Sequence, residues 1–201
     1  MEDKKSRAIF SIKEITLIAI FTAATAVLSQ ISFPIPFSPV PISFGLVAVY
    51  IAGILLKPRH ALTAQLCYLA LGAVGAPVFS SFKGGISALI GPTGGYLAVY
   101  PIMALLVSCA LNSKRSRAAE KTQPKWTLFV KALVSMCIAH ILLYMGGTIW
   151  LSLSTGSTFT ASLSLAVIPY IPLDLVKIAF CTMAIVPLRG RLSAVGVLDL
   201  D

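Results

Sequence analysis

Of 201 residues, 57% are hydrophobic and only 11% are charged, with a mean hydropathy of +0.91. Soluble domains carry about 25% charged residues, so the composition excludes a soluble core and predicts a polytopic, all-α integral membrane protein. The net charge of +9 does not point to nucleic acid, because the basic residues fall in short segments between apolar runs rather than on one folded basic face.

The N-terminal segment MEDKKSRAIFSIKE leads straight into a long apolar run. It has no short hydrophobic region followed by a small-residue cleavage site, so no cleavable signal is expected. Six candidate spans follow, at residues 15–31, 40–56, 61–74, 96–111, 128–153 and 172–188, the last with an apolar approach from Ala161. A spanning helix needs about 20 residues. The third run is short and is expected to end in a loop dipping into the protein. The chain is read as one transmembrane domain, residues 1–201.

Small residues mark one face of the first span. Ala19 and Ala23, with Ala24 and Ala26 nearby, form an Ala-x-x-x-Ala stripe. Such a stripe admits close approach of a helix backbone, from this chain or from a partner. The loop that follows, SFPIPFSPVP at 32–41, is rich in Pro and Phe. Proline fixes φ, so this loop is expected to be stiff and apolar. The later loop GAPVFSSFKGGISALIGPTGG, at 75–95, is glycine-rich with one lysine. Glycine permits close backbone approach to a ligand, and irregular backbone at membrane depth is tolerated where it lines a cavity. Both loops are read either as lids over a pocket or as ordinary turns.

Lys and Arg give an orientation. Lys4, Lys5, Arg7 and Lys13 precede the first span, and Lys57 and Arg59 lie between the second and third. Lys114, Arg115, Arg117, Lys121 and Lys125 lie between the fourth and fifth, and Arg189 and Arg191 follow the sixth. The alternate loops hold only Lys83. The positive-inside rule then places both termini in the cytoplasm of a multi-pass cell-membrane protein.

The last apolar stretch, 161–188, contains two charges, Asp174 and Lys177. Three residues apart, they share a helix face. An ionisable residue at membrane depth faces a cavity or a partner and is read first as functional. A buried ammonium suits a ligand carboxylate, and the Asp can neutralise it or accept a ligand donor. The competing reading is an ion pair that only staples helices. Pro172 suits the first turn of this helix, which leaves Asp174 where the helix dipole favours a carboxylate. With Arg189 at the cytoplasmic interface, Asp174 lies roughly 22 Å and Lys177 roughly 18 Å above it, in the outer half of a core about 30 Å thick.

Several chemistries are not visible. There is no Walker-type phosphate loop, HExxH or GxSxG, and GPTGG at 91–95 lacks the lysine of an ATP site. His140 stands alone in the fifth span and His60 is assigned to a cytoplasmic loop, both as structural residues. The four cysteines, Cys67, Cys109, Cys137 and Cys181, form no CxxC pair and read as buried small hydrophobes, not as metal or disulfide sites. No metal site, cofactor or enzyme constellation is expected.

Three segments carry a resemblance: PVFSSFKGGISALIGPTGGYL at 77–97, SFPIPFSPVPISFG after the first span, and IPLDLVK in the sixth. Together they resemble the BioY family, the biotin-specific substrate-binding (S) subunits of energy-coupling factor transporters. The resemblance runs from the first span to the sixth. It implies an S-component fold of six transmembrane helices that binds biotin at the extracytoplasmic face. It also implies partners: a transmembrane coupling subunit and two ATPases, consistent with the missing phosphate loop. Asp174 and Lys177 match the family's polar ligands, with Lys177 assigned to the biotin carboxylate or a ureido carbonyl and Asp174 to orienting Lys177 or accepting a ureido N–H. Phe79, Lys83, Gly84, Gly85, Gly91, Gly94 and Tyr96 are taken as the loop wall, and Gln65 and Tyr144 as span hydrogen-bonders. The Ala19/Ala23 stripe is similar to the motif that engages the coupling subunit. The alternatives carried forward are a stand-alone biotin carrier and a scaffold subunit.

Overall fold

The computed structural model describes residues 10–112 and 125–194. The basic residues Lys4, Lys5, Arg7, Lys114, Arg115, Arg117 and Lys121 lie outside them. The fold is mostly helical. Helix α1 (Ile12–Gln30) starts with a capping box, in which the Ser11 hydroxyl accepts from the Glu14 N–H and the Glu14 carboxylate accepts from the Ser11 N–H at 2.8 Å. That reciprocal pair satisfies two of the donors a helix start leaves open.

The all-α expectation is corrected at one place. The Pro/Phe-rich loop is an antiparallel hairpin of β1 (Ser32–Ile35) and β2 (Ser38–Ser43), with Ser32 opposite Ser43 and Phe33 opposite Ile42. Pro39 and Pro41 are tolerated because a two-stranded sheet is all edge. The hairpin takes residues 40–43 from the second candidate span, so α2 is only Gly45–Leu55.

Helix α3 (Pro58–Ala73) begins at a proline, whose missing N–H costs nothing in a first turn. His60 therefore belongs to a helix, not to the loop expected for it. It is buried, its Nε2 lies 3.1 Å from Glu14 Oε1, and Phe10 meets its ring edge-on at 5.5 Å. The glycine-rich segment holds a single 3-10 turn (Ser80–Phe82) and a short helix α4 (Ile86–Ile90). Helix α5 (Gly94–Asn112) is central and packs on α2, on α3 and on the long α6 (Lys125–Thr155). Glycines permit that last contact: a side chain at Gly95 would collide with Trp150, and one at Gly147 with the ring of Tyr96. Close backbone approach of this kind replaces the hydrophobic effect as the packing force between helices in lipid.

The C-terminal apolar stretch is broken. It runs as α7 (Phe159–Ala166), a 3-10 turn (Ile168–Tyr170), α8 (Ile171–Phe180), a π-helical turn (Cys181–Ile185) and α9 (Val186–Ala194). Pro172 does fall in the first turn of α8, as does Asp174. By length and composition, four stretches among the described residues are able to cross a membrane: Ile12–Gln30, Gly94–Asn112, Trp126–Thr155 and Phe159–Arg189. The second and third candidate spans are shorter helices of 11 and 16 residues. The cysteines are less uniformly buried than expected: Cys181 is buried, Cys67 and Cys137 are half-buried and Cys109 is exposed on α5.

A polar clamp joins α2, α5 and α9. The Asn112 amide lies within reach of the carbonyls of Gly53, Ile54 and Leu56 at 2.9–3.1 Å, serving the open end of α2. Its Oδ1 accepts from Arg189 Nε at 3.0 Å, and Arg189 also donates to the Leu111 carbonyl at 3.0 Å. Asn112→Leu removes both roles and is expected to cost about 3 kcal/mol, whereas Ser at the exposed Cys109 is expected to change stability by about 0.5 kcal/mol or less. Thermal unfolding of the two variants in one detergent checks the difference.

Candidate functional site

Asp174 and Lys177 are both buried, at 5% and 9% exposure. Lys177 Nζ donates to Asp174 Oδ1 at 2.9 Å. The second oxygen, Oδ2, accepts from the Tyr144 hydroxyl at 2.8 Å and lies 3.1 Å from His140 Nε2. His140 and Tyr144 are one helical turn apart on α6, ring centroids 4.3 Å apart and edge to face, so a single face of α6 supplies both groups. On the far side of the imidazole, Nδ1 lies 2.8 Å from the hydroxyl of Tyr50 in α2, which is fully buried. Helices α6 and α8 thus meet at one carboxylate, with α2 joined to it through the imidazole.

The pair opens on a cavity of two overlapping lobes. The first contains Asp174, Lys177, Tyr144 and Tyr170 in its wall; the second contains Phe79, Ser80 and Lys83. Val40, Pro41, Ser43, Tyr96 and Tyr100 border both. The hairpin is held there by Tyr170, whose hydroxyl donates to the Val40 carbonyl. The Pro/Phe-rich hairpin and the glycine-rich segment therefore both contribute wall residues. Phe79 packs on α3: it meets Tyr68, which stacks on Tyr100, edge-on at 5.5 Å and fills the space that a side chain at Gly72 would need.

Not every residue singled out from sequence faces the cavity. Gly84, Gly85, Gly91 and Gly94 border neither lobe; at Gly84 and Gly94 the missing side chain lets backbones touch. A Cβ at Gly84 would strike the Ala76 carbonyl and one at Gly94 the Leu89 carbonyl. Gly85 has φ +87° and its N–H donates to the Gly72 carbonyl at 2.7 Å, while the Gly91 carbonyl accepts from Trp150 Nε1 at 2.9 Å. Gln65 points to α1, donating to Thr25 Oγ1 at 3.1 Å. Ala19 and Ala23 are exposed on α1, on the side away from its buried residues Ile18, Thr22, Thr25 and Ser29. Among the described residues no group of three or more His, Cys, Asp or Glu side chains converges.

Sequence reasoning missed the part played by His140 and Tyr50. The available signal was His140 four residues before Tyr144 inside an apolar helix, a spacing that puts two polar groups on one face.

The chemistry on offer is a matched acceptor and donor. A carboxylate has about four lone-pair sites. Oδ2 meets two donors and Oδ1 one, so Oδ1 keeps room for one ligand N–H. An ammonium has three donors, of which one is spent on Asp174. Phe44 lies 6.0 Å from Nζ, within cation–π range. The site suits a compact polar group carrying an N–H beside a C=O.

Comparison with known proteins agrees over most of the chain. A sequence model of the BioY family matches residues 1–194. A probable biotin transporter BioY of Pyrococcus horikoshii is 33% identical over 179 residues, covering 89% of this chain and 98% of its own length. The biotin transporter BioY2 of Lactococcus lactis is 32% identical over 169 residues, covering 84% and 86%. Among solved structures, the S-component for biotin from an ECF-type ABC transporter superposes with TM-score 0.78 at 28% identity, covering 89% of this chain and 92% of that one.

The unequal bonding of the pair makes an asymmetric prediction. Without Lys177, the carboxylate keeps the His140 and Tyr144 contacts; without Asp174, the ammonium keeps only the Phe44 ring among the described residues. Lys177→Ala is expected to lose about 1–2 kcal/mol and Asp174→Ala about 3–5 kcal/mol, read as the order of thermal unfolding midpoints in detergent.

Proposed function

The chain belongs to the BioY family, and from that premise we propose that it is the substrate-binding subunit of an ATP-dependent energy-coupling factor transporter, capturing biotin at the extracytoplasmic face. The observation that carries the reading is the buried Asp174–Lys177 pair with one open acceptor site and two open donors at a cavity wall. The ureido group of biotin has the complementary set, N–H beside C=O. We assign a ureido N–H to Asp174 Oδ1 and the ureido carbonyl to Lys177, with Tyr96 and Tyr100 packing the bicyclic ring. The valerate then extends into the second lobe, where Lys83 is the cation offered to its carboxylate. Polar groups fix orientation while apolar walls supply burial.

In this reading six helices cross the membrane, and the basic segments and both termini are cytoplasmic. The protein is not itself an enzyme: hydrolysis belongs to two partner ATPases, and a transmembrane coupling subunit docks on α1. The exposed Ala19 and Ala23 support that docking face, since small exposed residues let a partner helix approach closely. Biotin is cargo, and no cofactor is invoked.

Equilibrium binding of radiolabelled biotin to the purified chain in detergent tests the proposal. Wild type is expected to bind without partners, and Lys177→Ala to weaken binding about tenfold or more while remaining folded. Biotin methyl ester, which lacks the tail charge, is expected to compete within about tenfold of biotin, since it loses only one exposed ion pair. A folded wild type that binds no biotin contradicts the function. An ester that loses as much affinity as the Lys177 variant would place the carboxylate, not the ureido group, at Lys177.

A further inference from the structure

We propose that His140 and Tyr50 form a positioning pair for Asp174: the imidazole is neutral, donates from Nε2 to the carboxylate, and receives the Tyr50 proton at Nδ1. Its consequence for biotin rests on the function proposed above, whereas the proton placement does not.

Every donor at a buried site needs an acceptor. His140 is 5% exposed and Tyr50 0%, and neither borders the cavity lobes. His140 therefore acts on a ligand only through Asp174. A carboxylate oxygen accepts and never donates, so the 3.1 Å contact at Oδ2 requires a proton on Nε2. The Tyr50 hydroxyl, 2.8 Å from Nδ1, then has two options. It donates into a bare Nδ1, or it accepts from a protonated one and leaves its own proton unmatched in an apolar core. Burying an unmatched donor is costly. An imidazolium would also set a second cation beside a carboxylate that already holds Lys177, and excess buried charge is unfavourable. The arrangement that satisfies every group is Tyr50 O–H to Nδ1 and Nε2–H to Oδ2.

This chain of donors has a geometric effect. With Oδ2 held by His140 and Tyr144, rotation of the carboxylate would break two hydrogen bonds at once. Oδ1 is thereby kept toward Lys177 and the cavity. A ligand N–H meets an acceptor already in place, which raises affinity by removing an ordering cost.

Two measurements test the pair. The chain has two histidines, so nitrogen NMR of histidine-labelled protein without ligand is assignable with His60→Gln. A neutral His140 protonated at Nε2 is expected; a proton on Nδ1, or on both nitrogens, would overturn the proposal. Biotin binding then separates positioning from space-filling. The amide of His140→Gln reaches the place of Nε2, and affinity is expected within about threefold of wild type. His140→Asn reaches only the place of Nδ1 and is expected to lose about tenfold or more. Tyr50→Phe should cost about threefold in wild type and nothing further in the Gln background, a non-additivity that marks action through Nδ1. Equal losses for Gln and Asn, or additive losses with Tyr50→Phe, would contradict it. A wild type that binds no biotin would sink the ligand assignment, and the NMR result would still decide the proton placement.

Discussion

A carboxylate inside an apolar bundle must be surrounded by donors or it will not stay ionised and buried. Asp174 meets that requirement with groups from two helices. Lys177 comes from its own turn of α8, and Tyr144 and His140 from one face of α6; behind the imidazole stands Tyr50 of α2. The need to satisfy this one group fixes how α2, α6 and α8 approach each other. The cavity follows from the same geometry, because Tyr144, Asp174 and Lys177 are at once members of the network and wall of the first lobe.

A second polar node stands along the same helical run. From Ile171 to Ala194 the chain passes from α8 through a π turn into α9. Asp174, Lys177, Ile178, Cys181, Thr182, Val186 and Arg189 are all buried along it. Arg189 joins Asn112, which in turn serves the end of α2. One run of chain therefore carries the Asp174–Lys177 pair and the clamp on α5, with α2 touching both nodes. A π turn adds a residue to one turn and shifts helix register, and such turns concentrate near functional sites.

The legible parts of the sequence were those where one residue type is costly out of place. Two charges in an apolar run marked the buried polar network, and Pro172 marked the start of its helix, because both are penalised elsewhere. The hairpin at 32–43 was not legible: alternating Pro and apolar residues read as a stiff loop, and only pairing with itself turns that stiffness into strands. His140 was read only as a structural residue and Tyr50 was not singled out, because a lone polar residue in a span has no partner until the helices are packed. The glycines were legible as special positions. A sequence shows that a backbone may come close to something; it does not say whether that is a ligand or, as at Gly84 and Gly94, another carbonyl. Gln65 was singled out by polarity alone, and packing sets its amide N–H against Thr25 of α1.

The most direct measurement is an experimental structure of the protein with biotin bound. The ureido group is expected at Asp174 Oδ1 and Lys177 Nζ within hydrogen-bond distance, about 2.7–3.2 Å, with the valerate directed along the second lobe toward Lys83. Biotin seated with its carboxylate on Lys177, or outside the two lobes altogether, would contradict it.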